Sequence, residues 1–344
     1  MHKTHNDLFV KQETIDINSL TIGYKTKSGT KIVAGNITTK LFSGELTCLL
    51  GANGVGKSTL LKTLSSFIPK IGGRISILGK EIEAYTEQSI ATKIGVVLTE
   101  KCEVHNMSVR ELVSMGRTPY TGFWGNLGKD DEEIINRSIK DVKIEHLSEK
   151  NVDSLSDGER QKAMLAKSLA QDTPVIFLDE PTAFLDYSSK VEIMQLLLYL
   201  SREKSKTIFI STHDMELALQ IADKIWLMDK KHGIITGTPE DLSLNGHFNR
   251  FLSKKEIKFD METGLYRLST IFHSKIKLVG EGQKFLMIKK ALQRNGVEAS
   301  DEIESNILIE AGDMFGNGII VHAGENEIFK VESIEALLDL VLKN

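Results

Sequence analysis

Short apolar runs separated by helical patterns dominate the chain up to about residue 230. Such runs predict buried strands where turn residues flank them. Between the second and third of these strands, a helix is predicted from Ser58 to about Phe67. Strands that alternate with helices predict an α/β core with a largely parallel sheet. The predicted strands are residues 15–24, 45–50, 74–78, 94–98, 175–178, 207–210 and 224–228.

Residues 108–171 interrupt this alternation with a block that is rich in Glu, Lys, Leu and Ile at helical spacing. We expect one helix over residues 109–115 that ends at Gly116, and another over residues 160–170. The block therefore predicts a helical subdomain, about residues 100–171, inserted into the α/β core.

The pattern breaks near residues 245–255, which predicts a linker. After it the chain again carries strand and amphipathic helix patterns, which predict a second, small α/β domain. We therefore expect a first domain over residues 1–250 and an accessory domain over residues 251–344, for which the sequence offers no recognisable motif. The predicted strands are residues 276–279, 307–310, 318–322 and 328–331, and the predicted helices are residues 284–295 and 334–342.

The charge, the cysteine content and the apolar runs bear on which partners and which cellular compartment to expect. The 43 basic and 47 acidic residues give a net charge of −4, so there is no global electrostatic reason to expect nucleic acid as a partner. The two cysteines, Cys48 and Cys102, argue against a disulfide framework and a zinc site, and they fit a reducing cytosol. The start lacks the apolar core of a signal peptide, and no apolar run approaches the ~18 residues of a membrane span. If the protein works at a membrane, we expect other chains to cross it.

Residues 51–58, GANGVGKS, match the P-loop pattern G-x-x-x-x-G-K-[ST] in full. The glycines let backbone N–H groups turn toward a polyphosphate, and the helix that follows points its positive end at the anion. Lys57 would reach the outer phosphates and Ser58 would hold Mg²⁺. The alternative, a chance glycine-rich turn, is disfavoured because a strand precedes the motif and a helix follows it.

The run VIFLDE at residues 175–180 provides the acidic residues that a nucleotide site with a P-loop also needs. An apolar strand that ends in Asp179 places a carboxylate beside the metal, and Glu180 would then reach a water that attacks the γ-phosphate. Glu180 alone is equally compatible with a carboxylate at a helix start. Its position after Asp179 and before Pro181 favours the catalytic role.

Residues 155–161, LSDGERQ, resemble the signature motif of ABC-type ATPases, whose usual form is LSGGQ. Ser156 and Glu159 also form a capping box that would open a helix. In this family two nucleotide-binding domains pair head to tail, so the resemblance implies that Ser156 and the backbone of Gly158 cover the γ-phosphate held by the other subunit. Asp157 and Glu159 replace the Gly and Gln of the family, and we expect them to point away from the phosphate or to bind through Mg²⁺ or water.

Further positions resemble the same family in the expected order. Tyr24 resembles the aromatic residue that stacks on adenine, and Asp186, in the run FLD, resembles the loop that couples the two sites of the dimer. His213, after the strand at 207–210, resembles the switch histidine that contacts the γ-phosphate. Together these positions imply an ABC-type P-loop NTPase.

One expected residue is missing from the run VVLTE at residues 96–100. In the family this strand usually ends in a glutamine that touches the Mg²⁺ shell and begins the loop that contacts the permease. Thr99 stands at the glutamine position and Glu100 follows it. Thr99 could donate a hydroxyl through water and Glu100 could reach Mg²⁺ with a full charge, and the register favours Thr99.

The resemblance implies ATP and Mg²⁺ as cofactors and assigns residues to three roles. The catalytic residues are Glu180, His213 and Lys57. The nucleotide contacts are Tyr24, Gly51, Ala52, Asn53, Gly54, Val55, Gly56, Lys57, Ser58, Thr59, Ser156, Gly158, Glu159 and Asp186, and the metal contacts are Ser58, Asp179 and Thr99.

Residues 108–120, SVRELVSMGRTPY, resemble a segment typical of ATPases of iron-siderophore, haem and cobalamin importers, with the pattern V-x-E-L-V-x-x-G-R-x-P. This implies a homodimer beneath two integral-membrane permease chains, on the cytoplasmic face of the cell membrane, with an external binding protein that delivers substrate. Phe123 and Trp124 lie in the next loop, where ordinary packing is the preferred interpretation and a permease contact is the other.

The rival class is a soluble ABC ATPase with a regulatory or assembly role. The chain has no long heptad coiled coil, a single P-loop and no basic stripe, which disfavours the DNA-repair and translational types. Transport is therefore the favoured interpretation.

Overall fold

A computed structural model describes residues 11–27, 29–98, 106–122, 125–230, 233–251, 257–260, 265–268, 270–312, 318–324 and 327–342. Of these residues, those up to Phe251 form one compact unit and those from Ile257 onward form another.

The first unit contains two sheets and their covering helices. Its strands are β1 (Glu13–Thr26), β2 (Gly29–Phe42), β3 (Leu46–Gly51), β4 (Gly72–Ile77), β5 (Lys80–Glu81), β6 (Ile94–Val97), β7 (Val175–Asp179), β8 (Thr207–Thr212), β9 (Lys224–Asp229) and β10 (Gly233–Gly237). Its helices are α1 (Lys57–Leu64), α2 (Glu87–Ala91), α3 (Val109–Ser114), α4 (Lys129–Asp141), α5 (Asp157–Ala170), α6 (Tyr187–Arg202), α7 (Met215–Ile221), α8 (Pro239–Leu244) and α9 (His247–Phe251).

The central sheet has the strand order β10-β9-β3-β8-β7-β6. Its neighbours pair in parallel except β10, which pairs antiparallel with β9 at one edge. Every residue of β3, β7 and β8 is buried, which explains the apolar runs at residues 49–50, 175–178 and 208–210 within them. Phe177, Phe209 and Trp226 pack in series in this sheet, with ring centroids 5.5 and 4.7 Å apart. The predicted α/β class with a largely parallel sheet is confirmed.

A four-stranded antiparallel sheet, in the order β2-β1-β4-β5, shares the core with the central sheet. Ile15, Ile17 and Ile75 from this sheet belong to the same buried cluster as Leu49 and Phe177. The sequence patterns did not reveal β2, because most of its residues are exposed and its apolar alternation is weak.

Two boundaries differ from the sequence predictions. The helix α1 ends at Leu64 rather than near Phe67, because Ser66 adopts a left-handed conformation (φ 64°) that turns the chain. The predicted linker at residues 245–255 begins instead with α9, in which Phe248 is fully buried.

Gly116 lies where the helices of the helical region meet. The predicted helix over residues 109–115 is confirmed as α3, which ends one residue earlier, at Ser114. The chain continues from α3 into a 3₁₀ helix, Met115–Tyr120, and a Cβ on Gly116 would lie 2.2 Å from the carbonyl oxygen of Lys167 in α5. The next residue, Arg117, is buried; its Nε donates to Asp131 Oδ1 at 2.8 Å and its Nη1 donates to the Ala170 carbonyl oxygen at 2.9 Å. The Gly-Arg pair therefore joins α4 and α5 to the 3₁₀ helix.

The second unit is a small α/β layer. Its elements are β11 (Ile257–Asp260), β12 (Leu265–Leu268), β13 (Ser274–Val279), α10 (Gly282–Arg294), β14 (Val297–Ser300), β15 (Ile307–Glu310), β16 (Ile319–Ala323), β17 (Glu327–Val331) and α11 (Ile334–Leu342). The sheet order is β14-β13-β15-β16-β17, and β11 and β12 form a separate hairpin. Ile276, Leu278 and Val321 of the sheet form one core with Ile288 and Leu337 of the two helices.

Within the described chain, no helix has the length and apolar character that a bilayer crossing requires.

Replacing Gly116 with Ala is expected to lower the free energy of unfolding by about 1–3 kcal/mol, because the added methyl overlaps the Lys167 carbonyl in a packed interior. Urea denaturation measures the change. Gly122→Ala is the matched control, since a Cβ there meets nothing within 4 Å. Equal stability of the two variants would contradict the close packing of Gly116.

Candidate functional site

The P-loop connects β3 to α1 through a turn that favours glycine. Gly54 and Gly56 have φ values of 71° and 121°, in the left-handed region. A Cβ on Gly56 would also lie 2.3 Å from Val33 Cγ1 of β2. Because α1 begins at Lys57, the unpaired N–H groups of its first turn face this loop. The loop therefore has the geometry that binds an anion.

A cleft of about 780 Å³ opens beside the P-loop, a volume in the range that small-molecule and cofactor sites occupy. The structure brings many of the predicted residues together here. The predicted residues that line it are Tyr24, Ala52, Asn53, Gly54, Val55, Gly56, Lys57, Ser58, Thr59, Glu180 and His213.

Glu180 lies between Lys57 and His213 at the cleft. Its Oε1 is 3.4 Å from Lys57 Nζ and 2.9 Å from His213 Nδ1. Lys57 Nζ also donates to the Gly51 carbonyl oxygen at 2.8 Å, so the ammonium is tied to the strand that precedes the loop. The three side chains assigned to catalysis thus form one connected group at the cleft.

Ser211 of β8 holds the end of β7 from the neighbouring strand. Its hydroxyl donates to Asp179 Oδ1, and its carbonyl oxygen accepts the Glu180 N–H at 2.9 Å. Glu180 has a φ of 51°, which is uncommon for a residue other than glycine. This turn directs the Glu180 side chain into the cleft while Asp179 stays buried.

The residues of the cleft also suit Mg²⁺. Ser58 is exposed at the cleft and Asp179 lies at the adjacent strand end. Mg²⁺ takes oxygen ligands and is usually bound by one or two protein groups together with substrate phosphates. Among the residues that the structure describes, no three His, Cys, Asp or Glu side chains cluster as a metal site of their own. Ser58 and Asp179 therefore fit an ion that arrives with a nucleotide.

The signature residues lie outside this cleft, at the start of α5. Ser156 N–H donates to Glu159 Oε2 at 2.9 Å, and Glu159 N–H donates to Ser156 Oγ at 3.3 Å. These hydrogen bonds, first that from the Ser156 backbone, hold the pKa of Glu159 below its usual value. The Glu159 carboxylate is therefore used in a capping box, which starts the helix at Asp157.

Asp186 caps the neighbouring helix α6 beside the signature. Its Oδ1 accepts from Ser189 N–H at 2.9 Å and its Oδ2 from Ser189 Oγ at 3.0 Å, and these bonds lower the pKa of Asp186. A Cβ on Gly158 would lie 3.1 Å from the same Ser189 Oγ. Phe184, in the preceding turn, is 88% exposed. The signature residues and the turn that contains Phe184 and Asp186 therefore form one surface, and this surface does not line the cleft of the same chain.

The run that replaces the expected glutamine falls outside the described residues, and so do Phe123 and Trp124. Thr99 and Glu100 follow β6, which pairs in parallel with β7 so that Val97 lies opposite Leu178. The chain therefore leaves β6 at the same sheet edge as Asp179.

Sequence reasoning missed several residues of the cleft. Lys31, Ile32 and Val33 of β2 line it, and so does Lys230, just after β9. Lys31 lies directly across the hairpin from Tyr24. Recognition of β2 as the partner of β1 would have placed Lys31, Ile32 and Val33, since the register follows from the turn between the two strands.

Comparison with known proteins connects both units to transport. Residues 34–183 match the family described as ABC transporter, and residues 273–342 match the iron ABC transporter C-terminal domain. An uncharacterized ABC transporter ATP-binding protein of Methanocaldococcus jannaschii is 37% identical over 279 residues, which cover 80% of this chain and 95% of that protein. The ferric enterobactin transport ATP-binding protein of Escherichia coli is 35% identical over 65% of this chain and 81% of its own length. These matches confirm the resemblance predicted from the motifs.

Solved structures show the same fold. The chain superimposes on cbiO1 of Clostridium perfringens, part of the ABC transporter complex cbiONQ, with a TM-score of 0.60 and 30% identity, over 70% of this chain and 94% of that one. A bacterial ABC transporter cassette, solved as a dimer, matches with a TM-score of 0.58 and 23% identity, over 65% of this chain and 98% of that one. The predicted P-loop NTPase class is confirmed.

Replacing Ser211 with Ala is expected to lower the kcat for ATP hydrolysis about 10–100-fold, because Asp179 loses its hydrogen-bond donor from β8. Steady-state ATPase kinetics measure the change. Ser201→Ala is the matched control: Ser201 is also fully buried, but its hydroxyl donates to a carbonyl within α6. A wild-type kcat for Ser211→Ala would show that Asp179 does not need this support.

Proposed function

The chain belongs to the ATP-binding proteins of ABC transporters, and we propose that this ATPase drives uptake of an iron complex, a ferric siderophore or haem, or of cobalamin. The observation that carries the hydrolytic role is the meeting of Lys57, Glu180 and His213 beside the P-loop. Support for the iron complex comes from the match to the iron ABC transporter C-terminal domain and from the ferric enterobactin relative.

Hydrolysis would rest on position and charge. The P-loop N–H groups and Lys57 would bind the phosphates, and Tyr24 would stack on the base. Glu180 would accept a proton from the attacking water, and His213, 2.9 Å from Glu180, would contact the γ-phosphate. Ser58 and Asp179 would hold Mg²⁺, which neutralises charge that develops on the phosphates.

We infer a head-to-tail homodimer because Ser156, Gly158 and Asp186 do not line their own cleft. In such a dimer this surface would close on the nucleotide bound by the partner, and loss of the γ-phosphate would reopen it. Two copies would sit on the cytoplasmic face of the cell membrane beneath integral-membrane permeases, with an external binding protein as an indirect partner and no nucleic acid. Residues 1–250 would form the ATPase domain and residues 251–344 an accessory domain.

Thr99 is proposed to take the role of the missing glutamine, because β6 ends beside Asp179. Thr99→Ala is then expected to reduce permease-stimulated ATPase activity more than basal activity, as measured in membranes that contain the whole transporter. Glu100→Ala serves as the comparison. Full stimulation in both variants would mean that neither residue completes the metal shell.

Glu180→Gln is expected to lower ATP turnover by about 10²–10⁴-fold while nucleotide binding persists, because the amide cannot accept the proton of the attacking water. Single-turnover hydrolysis and retention of labelled ATP measure the two effects. Glu192→Gln, an exposed carboxylate of α6 paired with Lys162, is the control. Rapid turnover by Glu180→Gln would assign the base elsewhere.

The same variant tests the transport role in cells. Deletion of the gene should reduce uptake of one substrate among ferric siderophore, haem and cobalamin, and the wild-type gene, but not the Glu180→Gln gene, should restore it. Unchanged uptake of all three substrates would overturn the importer proposal and favour a soluble regulatory or assembly ATPase.

A further inference from the structure

A hydrogen bond joins Tyr24 to the helix that follows the P-loop. The Tyr24 hydroxyl lies 2.8 Å from Thr59 Oγ1, although the two residues are 35 positions apart in the chain. Tyr24 is 42% exposed at the cleft, whereas Thr59 is 7% exposed in the first turn of α1. The bond therefore ties an exposed ring to a buried point in the core.

The strand that carries Tyr24 is paired on one side only at this point. The pairing between β1 and β4 ends at Thr21, opposite Gly72, and from Ile22 onward β1 pairs only with β2. Ile22 and Gly23 are buried, but the Tyr24 side chain points out of this core into the cleft. The helix α1, in contrast, is anchored by Leu60, Leu61 and Leu64, which are almost completely buried.

We propose that Thr59 is a positioning residue for the nucleobase: its hydroxyl fixes the Tyr24 ring in the orientation that stacks on the base. This inference rests on the proposed stacking role of Tyr24. A ring held in its binding orientation before the nucleotide arrives loses less conformational freedom on binding, so the bond raises affinity for the base. Thr59 thus contributes to recognition of the base through Tyr24.

Kinetics of Tyr24→Phe and Thr59→Val test the bond, since each variant removes one hydroxyl and keeps the shape of the side chain. Each is expected to raise the KM for ATP about 2–10-fold, the value of one neutral hydrogen bond, with a much smaller change in kcat. The double variant should be no worse than either single variant, because both remove the same interaction. Thr59→Ser, which keeps a hydroxyl, should restore the wild-type KM.

Inorganic triphosphate, which has no base, separates the two possible roles of Thr59. As a competitive inhibitor of the ATPase it should bind Thr59→Val as tightly as the wild type. If Thr59→Val weakens triphosphate as much as ATP, Thr59 binds phosphate directly and the proposal is wrong. A wild-type KM for Tyr24→Phe would also overturn it.

Two further variants serve as controls for the loss of a hydroxyl and for the loss of the ring. Tyr199→Phe, an exposed tyrosine of α6 outside the cleft, controls for the loss of a hydroxyl elsewhere. Tyr24→Ala removes the ring itself and should raise the KM more than Tyr24→Phe does. If Tyr24→Ala leaves the KM unchanged, the stacking role fails first, and this result differs from failure of the Thr59 bond alone.

Discussion

The parallel pairing of β3, β8 and β7 is the constraint on which the site depends. Neighbouring parallel strands end at the same edge of a sheet. This edge therefore brings together three parts that are distant in sequence: the P-loop after β3, Asp179 at the end of β7 and His213 after β8. Burial on both faces fixes this pairing, because every residue of the three strands is buried. Ser211 then adds a direct bond between adjacent strand ends. The catalytic geometry is therefore a consequence of the sheet topology.

The helical region is held by contacts of a different kind. Arg117 is a buried cation that binds Asp131 and the last carbonyl of α5, so one side chain closes the end of that helix. The hydrogen bonds from the Gly128 N–H and from Arg117 hold the pKa of Asp131 below its usual value. At the opposite end of α5 the Ser156 capping box presents the signature residues. The Gly-Arg pair is thus one helix length from the proposed interface between ATPase subunits.

Local patterns in the sequence predicted the sheet and the P-loop because each motif lies directly after its strand. They failed for residues whose role depends on contact with a part of the chain that is distant in sequence. Gly116 was predicted to end a helix, and α3 does end just before it, but the sequence did not reveal that Lys167 of α5 approaches Gly116. The strand β2 was missed because most of its residues are exposed, so its sequence shows little alternation of apolar and polar residues. Lys31 and Val33 of the cleft, which lie on β2, were missed for the same reason. The link from Tyr24 to the core likewise depends on tertiary contact alone.

The carboxylate beside Lys57 has an electrostatic consequence for each cycle of the enzyme. The Lys57 ammonium is almost buried and has the Glu180 carboxylate at 3.4 Å, so in the proposed mechanism an arriving phosphate would replace one negative partner with another. A buried charge left without a partner is costly, and this exchange would spare the protein that cost between turnovers. Departure of the phosphate would then return the lysine to Glu180.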